Sequence, residues 1–407
     1  MWICANDERI RYTGRIDCRV EAEPVWVFPG SSAEFWFSGE VLRIHVENFN
    51  EYWQNYLGCI LDQVQAAFYL KKSGETVIEV RVPENESGVH HVLFFKRQDG
   101  CHELKILGFE IGDGERLIEL PPVSERRIEV YGDSVSAGES VEAIDFIGKT
   151  DMEHEGGFSN CWFSFPWMTA RMLGARLHDL AEKFEVSVRT IYRDIDSLSF
   201  SGIPVYAMKG KGGGIALMDG HGWFHRPEQT GMETAWDKIH YNTMLGEMTE
   251  WDFSKFVPQV VIVALGQNDN YPVDYMKVEA EKKAQGVCVH EQEPDQEQVT
   301  QVEKSYSYCC EMADRWRSHY GDFLKKLRGV YPEAWIVCCT TVLQHDKSWD
   351  DAIDRVVNSV KDEKISHFLF SRNGVATPGH PRIPEQFEMA QEMADYIENV
   401  LGVYKNK

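Results

Sequence analysis

The run Val260-Val-Ile-Val-Ala-Leu265 limits the possible folds of this chain more than any other feature. Six consecutive apolar residues, closed by Gly266, leave no polar face for solvent. A strand of that kind is buried on both sides, as a parallel sheet covered by helices requires. A second such run, Ala334-Trp-Ile-Val-Cys-Cys339, follows it. Around them stand Arg126–Gly132, a β-branched run ending in Gly, and amphipathic stretches over 308–332 and 384–404. Strands alternating with helices predict an α/β domain with a parallel sheet, placed at 126–407.

The first 115 residues read differently. VWVF, AEFWFSG, VLRIHVE, TVIEVRV, HHVLFFKR and ELKILGFEIG are short apolar or alternating runs separated by Gly, Asn and Asp-Gly clusters. That spacing predicts a β-sandwich over 1–115. A polar, Pro-containing stretch at 116–127 separates the two regions, and the Glu/Gln-rich 282–304 reads as solvated.

Composition narrows the function. Hydrophobic residues make up 43% and charged ones 26%, which excludes global disorder. The net charge of −23 disfavours a protein that coats nucleic acid and leaves neutral or cationic substrates open. No apolar run is long enough for a membrane span. The first residues hold no apolar stretch of a secretory signal, so a cytoplasmic location is expected. The ten Cys show neither CxxC nor zinc-like spacing and are expected to be buried, reduced thiols, with no metal.

Three motifs carry chemistry. Gly132-Asp133-Ser134 directly follows a strand, where a nucleophilic Ser is exposed at the sheet's carboxyl edge and its own amide can face an oxyanion. Gly266-Gln267-Asn268-Asp269 follows the buried strand, and Asn268 can aim its side-chain amide at the same oxyanion, although Gly and Asn also simply favour turns. Thr377-Pro378-Gly379-His380-Pro381 stiffens a loop around a His suited to act as general base.

In this order and spacing the motifs resemble the SGNH (GDSL-type) hydrolases. With the sandwich ahead of them, the chain resembles the family-two carbohydrate esterases. That resemblance implies a jelly-roll sandwich followed by a flavodoxin-like, three-layer SGNH domain that removes O-acetyl groups from carbohydrates without a cofactor. It implies Ser134 as nucleophile and His380 as base. The Ser134 amide, Asn268 and a Gly amide from Gly213 or Gly214 would be the oxyanion donors. The family usually places an Asp two or three residues before the His. Pro378 and Thr377 occupy those positions here, so a Ser–His dyad is expected, the His held by backbone carbonyls. Trp223 and Trp349, on loops after strands, are candidate sugar platforms.

Residues 182–212 interrupt this pattern. With their flanks they resemble the helix-turn-helix of DeoR-like and WYL-type transcriptional regulators. Ser187 suits a helix N-cap, and Ile191, Ile195 and Leu198 form one apolar stripe. Arg189, Thr190, Tyr192 and Arg193 then face outward, the side that would enter a major groove. The insert carries five basic against four acidic side chains on a strongly acidic body, so DNA is a weak partner. The alternative function is a DNA-binding regulator with an esterase-like sensor body.

Overall fold

The structure is a computed structural model. It describes residues 1–174 (51–53, 86, 99–101, 123 and 153–155 apart), 232, 236–240, 250–267 and 310–404 (346 apart). The helix-turn-helix-like insert at 182–212, with Arg189, Thr190, Tyr192 and Arg193, lies outside these residues, as do Gly213, Gly214, Trp223 and Asn268.

The N-terminal region contains β1 (Trp2–Cys4), β2 (Arg11–Thr13), β3 (Ile16–Asp17), β4 (Val25–Trp26), β5 (Ser32–Ser38), β6 (Val41–Asn50), β7 (Asn55–Leu61), β8 (Val64–Leu70), β9 (Ser73–Arg81), β10 (Val89–Lys96), β11 (His102–Ile111) and β12 (Leu117–Ile118). They form two six-stranded sheets. One runs β3-β4-β11-β6-β9 with β1 also on β11, and the other β12-β5-β10-β7-β8 with β2 also on β5. All pairs in both sheets are antiparallel, so alternate side chains turn inward. Trp26, Phe35, Phe37, Phe94 and Phe109 meet in the space between them. The sandwich extends past its expected end at residue 115, because Leu117 and Ile118 pair with Phe37 and Trp36. A two-residue strand is too short to show any alternation.

The second region holds a parallel sheet in the order β13 (Ile128–Tyr131), β14 (Val260–Ala264), β15 (Trp335–Cys339), β16 (Ile365–His367). Its described helices are α1 (Ser134–Ala137), α2 (Phe165–Leu173), α3 (Cys310–Val330), α4 (Lys347–Val360) and α5 (Ile383–Asp395). The apolar run of β14 serves both faces, as its composition demands. Val261 and Val263 pack with Trp316, Tyr320 and Leu324 of α3 and with Ile353 and Val356 of α4. Val260, Ile262 and Ala264 pack with Phe165 and Met168 of α2 and with Met389 and Met393 of α5. The result is a three-layer α/β/α arrangement.

The two regions are joined by aromatic and ionic contacts. Phe95 of β10 lies 5.6 Å, centroid to centroid, from both Trp162 and Trp167. Arg15 is buried and reaches Glu129 Oε1 at 2.7 Å and the Tyr131 hydroxyl at 2.6 Å, both on β13. His240, also buried, bridges Glu103 of β11 and Asp17 of β3. The thiols only partly follow expectation. Cys59, Cys161, Cys338 and Cys339 are buried and free, but Cys4 and Cys18 are free and exposed. No described helix is long and apolar enough to cross a membrane.

Candidate active site

The carboxyl edge of the parallel sheet gathers the site, as expected for an open α/β fold. β13 ends at Tyr131, and the chain turns through Gly132-Asp133 into α1, whose first residue is Ser134. Gly132 cannot be replaced without a shift, since a Cβ there would come within 2.2 Å of Ser136 Oγ. Asp133 caps α1 by accepting a hydrogen bond from the Val135 N–H at 3.0 Å. Burial pushes the Asp133 carboxyl up to about 6, against the bonds it accepts from Val135 and Gln267.

The Gly266-Gln267 turn sits beside it. Gln267 donates to Asp133 Oδ2 at 2.9 Å. Its own carbonyl oxygen accepts from the Thr341 N–H at 2.8 Å and the Thr341 hydroxyl at 2.7 Å. One buried amide thus ties the ends of β14 and β15 to the residue before the nucleophile. Sequence reasoning gave Gln267 no role, because a Gln beside Gly and Asn reads as part of a turn.

His380 arrives on the loop before α5. Pro384 in the first turn starts that helix, and Glu385 accepts from the Arg382 N–H at 2.9 Å. His380 Nε2 stands 2.7 Å from Ser134 Oγ. Its Nδ1 stands 2.6 Å from Asp151 Oδ2, and its backbone N–H donates to the same carboxylate at 3.1 Å. A carboxylate only accepts, so Nδ1 carries the proton and Nε2 is left to accept from the Ser134 hydroxyl.

Asp151 corrects the expected dyad. The orienting carboxylate comes from a loop 229 positions before the His, where no local pattern announces it. Arg382, fully buried, fixes both partners. Its guanidinium donates to Asp151 Oδ1 at 2.7 Å and to the His380 carbonyl at 2.7 Å. Gly379 permits the close approach, since a Cβ there would lie 2.8 Å from Asp151 Oδ1. Burial works to raise the Asp151 carboxyl, but the bonds from His380 and Arg382 outweigh it and hold it well below the usual range. Burial alone would lower the His380 imidazole. The charges of Glu139 and Asp151 outweigh that and raise it.

Trp349 is a second correction. It lies in the first turn of α4, is 1% exposed, and packs edge-on against Trp316 at 5.2 Å. A helix begins at Lys347 where an open loop was expected. Asp350 accepts hydrogen bonds from Thr340 and His345, pinning that helix to the end of β15 and turning Trp349 into the core. It cannot serve as a sugar platform.

Comparison with known proteins agrees with this architecture. Residues 12–121 match the family described as Carbohydrate esterase 2 N-terminal. Residues 176–215 match an HTH domain. The chain is 23% identical over 406 residues to the Cellulase/esterase CelE of Acetivibrio thermocellus, covering 97% of this chain and 40% of that protein. It thus spans less than half of that relative's length. The structure of a family two carbohydrate esterase from Cellvibrio japonicus superposes with a TM-score of 0.68 at 17% identity, covering 99% of this chain and 98% of that one. A short segment has a different relative. Over 41 residues the chain is 58% identical to the uncharacterized HTH-type transcriptional regulator YobV of Bacillus subtilis, covering 10% of this chain and 13% of that protein.

Proposed function

We propose that this chain is a serine esterase that removes O-acetyl groups from sugars or polysaccharide fragments. The observation that carries the proposal is the line Ser134 Oγ–His380 Nε2–His380 Nδ1–Asp151 Oδ2, closed at 2.7 Å and 2.6 Å at the carboxyl edge of the sheet. Ser134 Oγ attacks the acetyl carbonyl as its proton passes to His380 Nε2. Asp151 stabilises the imidazolium and keeps the ring in the required tautomer. The C–O bond to the sugar then breaks, and His380 gives the proton to the departing oxygen. Water, deprotonated by the same Nε2, attacks the acetyl-enzyme, and acetate leaves as the proton returns to Ser134.

The Ser134 N–H, Asn268 and an amide from Gly213 or Gly214 are our proposed oxyanion donors, each worth roughly 10²–10³ in rate. A cytoplasmic location is part of the same proposal. The test is acetate release from an aryl acetate and from acetylated oligosaccharides by the full chain and by Ser134→Ala. Equal release by the two would remove the proposal.

A second reading rests on the 176–215 match. It makes the chain a regulator that binds duplex DNA through residues such as Arg189 and Arg193. The acidic body opposes it, since phosphate contacts are electrostatic. Titration with duplex DNA across salt concentrations separates the readings. Binding no tighter than about 10⁻⁴ M at physiological salt is expected. Submicromolar, sequence-dependent binding lost in Arg189→Ala would make the regulator reading primary.

A further inference from the structure

Among the described residues, two carboxylates stand within 3.5 Å of the His380 ring nitrogens, and the mechanism above uses only one. Glu139 Oε2 lies 3.5 Å from His380 Nε2, on the side of the ring that faces Ser134. Glu139 belongs to the same turn as the nucleophile, and its backbone N–H donates to the Ser134 carbonyl at 2.9 Å. Its side chain is 20% exposed, so it sits at the open side of the pair. The turn is braced further where the Ser140 N–H donates to Ser159 Oγ at 3.3 Å.

The departing sugar oxygen must come within hydrogen-bond reach of His380 Nε2 to receive its proton, about 2.6–3.2 Å. A carboxylate 3.5 Å from that nitrogen therefore borders the space the alcohol half of the ester occupies. We infer that Glu139 determines specificity at this site, accepting a hydrogen bond from a sugar hydroxyl beside the ester and rejecting acetyl esters whose alcohol half carries a carboxylate. This inference rests on the esterase reading. Like charges a few ångströms apart in a partly desolvated cleft repel strongly enough for an effect of ~10–100-fold.

The other groups around His380 do not supply this discrimination. Asp151 is taken up on the Nδ1 side and by Arg382. Arg382 is fully buried and donates to the His380 carbonyl, on the backbone side. Asp133 is buried as the N-cap of α1 and bound to Gln267. Ser134 itself is neutral. Among the described residues, Glu139 is therefore the carboxylate that stands on the Nε2 side of His380.

The experiment compares two probes, a mono-O-acetyl methyl glucoside and the matching mono-O-acetyl methyl glucuronoside. The full chain should favour the neutral ester in kcat/KM by ~10–100-fold. Glu139→Gln should narrow that ratio about tenfold, through KM for the anionic ester, and Glu139→Asp should preserve most of it. A ratio unchanged in Glu139→Gln overturns the inference. Calorimetric binding of both esters to the Ser134→Ala chain, with and without Glu139→Gln, gives a readout independent of turnover. A chain that hydrolyses neither ester, yet binds the neutral one better until Glu139 is replaced, would overturn the esterase reading and leave Glu139 only as a determinant of binding. Equal binding of the two esters, or binding of neither, overturns the inference itself.

Discussion

Among the described residues two histidines, His240 and His380, each stand between two carboxylates, and the difference between them separates structure from chemistry. His240, at the junction of the two regions, has Nδ1 2.7 Å from Glu103 Oε1 and Nε2 2.8 Å from Asp17 Oδ2. Both partners can only accept, so both nitrogens carry protons and the ring is a buried imidazolium with no atom left to react. His380 has one such contact, to Asp151, and its second nitrogen meets a hydroxyl instead. Its other carboxylate, Glu139, stands off at 3.5 Å. The same ring is a staple where both nitrogens are committed to acceptors and a base where one is left for a serine.

The largest way to break the comparison is to remove the hydroxyl. Ser134→Ala should cost about 10⁴–10⁶ in kcat, the scale for a nucleophile acting within a triad. The melting temperature should hardly move, because the oxygen lost is bonded to the reactive ring and not to the core. A residual activity within tenfold of the intact chain would show that the Ser134–His380 pair is not the reactive centre.

Asp151→Asn tests whether the distant carboxylate does what its position implies. The amide cannot select the Nδ1-protonated ring, and a loss of ~10²–10⁴ in kcat is expected. A loss under tenfold would return His380 to the dyad that the local sequence suggests, oriented by backbone alone.

His240→Leu sharpens the other side. Glu103 and Asp17 would then lose the cation between them, Asp17 retaining Arg19, and breaking a buried pair costs about 3–5 kcal/mol. kcat should stay within about twofold of the intact chain, since His240 bonds only to sandwich carboxylates, Glu103 and Asp17. Denaturant titration reads the first quantity and acetate release the second. Destabilisation under about 1 kcal/mol would mean that the junction does not depend on the imidazolium.

The pH dependence should run in opposite directions for the two rings. Burial would lower the His240 imidazole, but the bonds from Glu103 and Asp17 outweigh it and raise it above its ordinary 6.5. Its stabilisation is therefore complete below about 6.5 and is lost as pH rises through the raised value. Burial works to raise the Asp17 carboxyl, but Arg19 and His240 hold it at about 2, so its share is present above 3.8 and lost as pH falls toward 2. His380 is also raised, but it must be neutral to accept the Ser134 proton, so kcat/KM should climb as pH rises above 6.5, where the His240 contribution falls. Denaturation midpoints and kcat/KM measured on one pH series check this. In His240→Leu the alkaline loss of stability should shrink while the rate profile stays in place.

The sequence made one side of this comparison legible and hid the other. Ser134 and His380 stand in short motifs at strand ends, where glycine, proline and a β-branched run leave few alternative geometries. The buried sheet was readable from β14 and β15 because six apolar residues in a row admit only one environment. Asp151 sits in a polar stretch with no periodicity, and its role depends entirely on a loop packing against Gly379. His240 was equally silent, because its partners lie on strands 137 and 223 positions away. Trp349 misled because the turn before α4 resembles an open loop until Asp350 is bonded to Thr340 and His345.

The smallest expected effect belongs to Thr377, one of the two positions where the SGNH hydrolases that the motifs resemble place an Asp. Its hydroxyl donates to the Gly379 carbonyl at 2.8 Å, so it shapes the turn that carries His380 and does not bond the ring. Thr377→Ala removes one neutral hydrogen bond, worth about 1 kcal/mol, from a loop also held by Arg382 and Asp151. The loss in kcat should be no more than about fivefold. It should appear without a change in the pH profile, because no charge near His380 has been altered. A loss rivalling that of Asp151→Asn would place the orienting function in the local turn, and the distance of 2.6 Å between Asp151 and His380 would then be incidental to the chemistry.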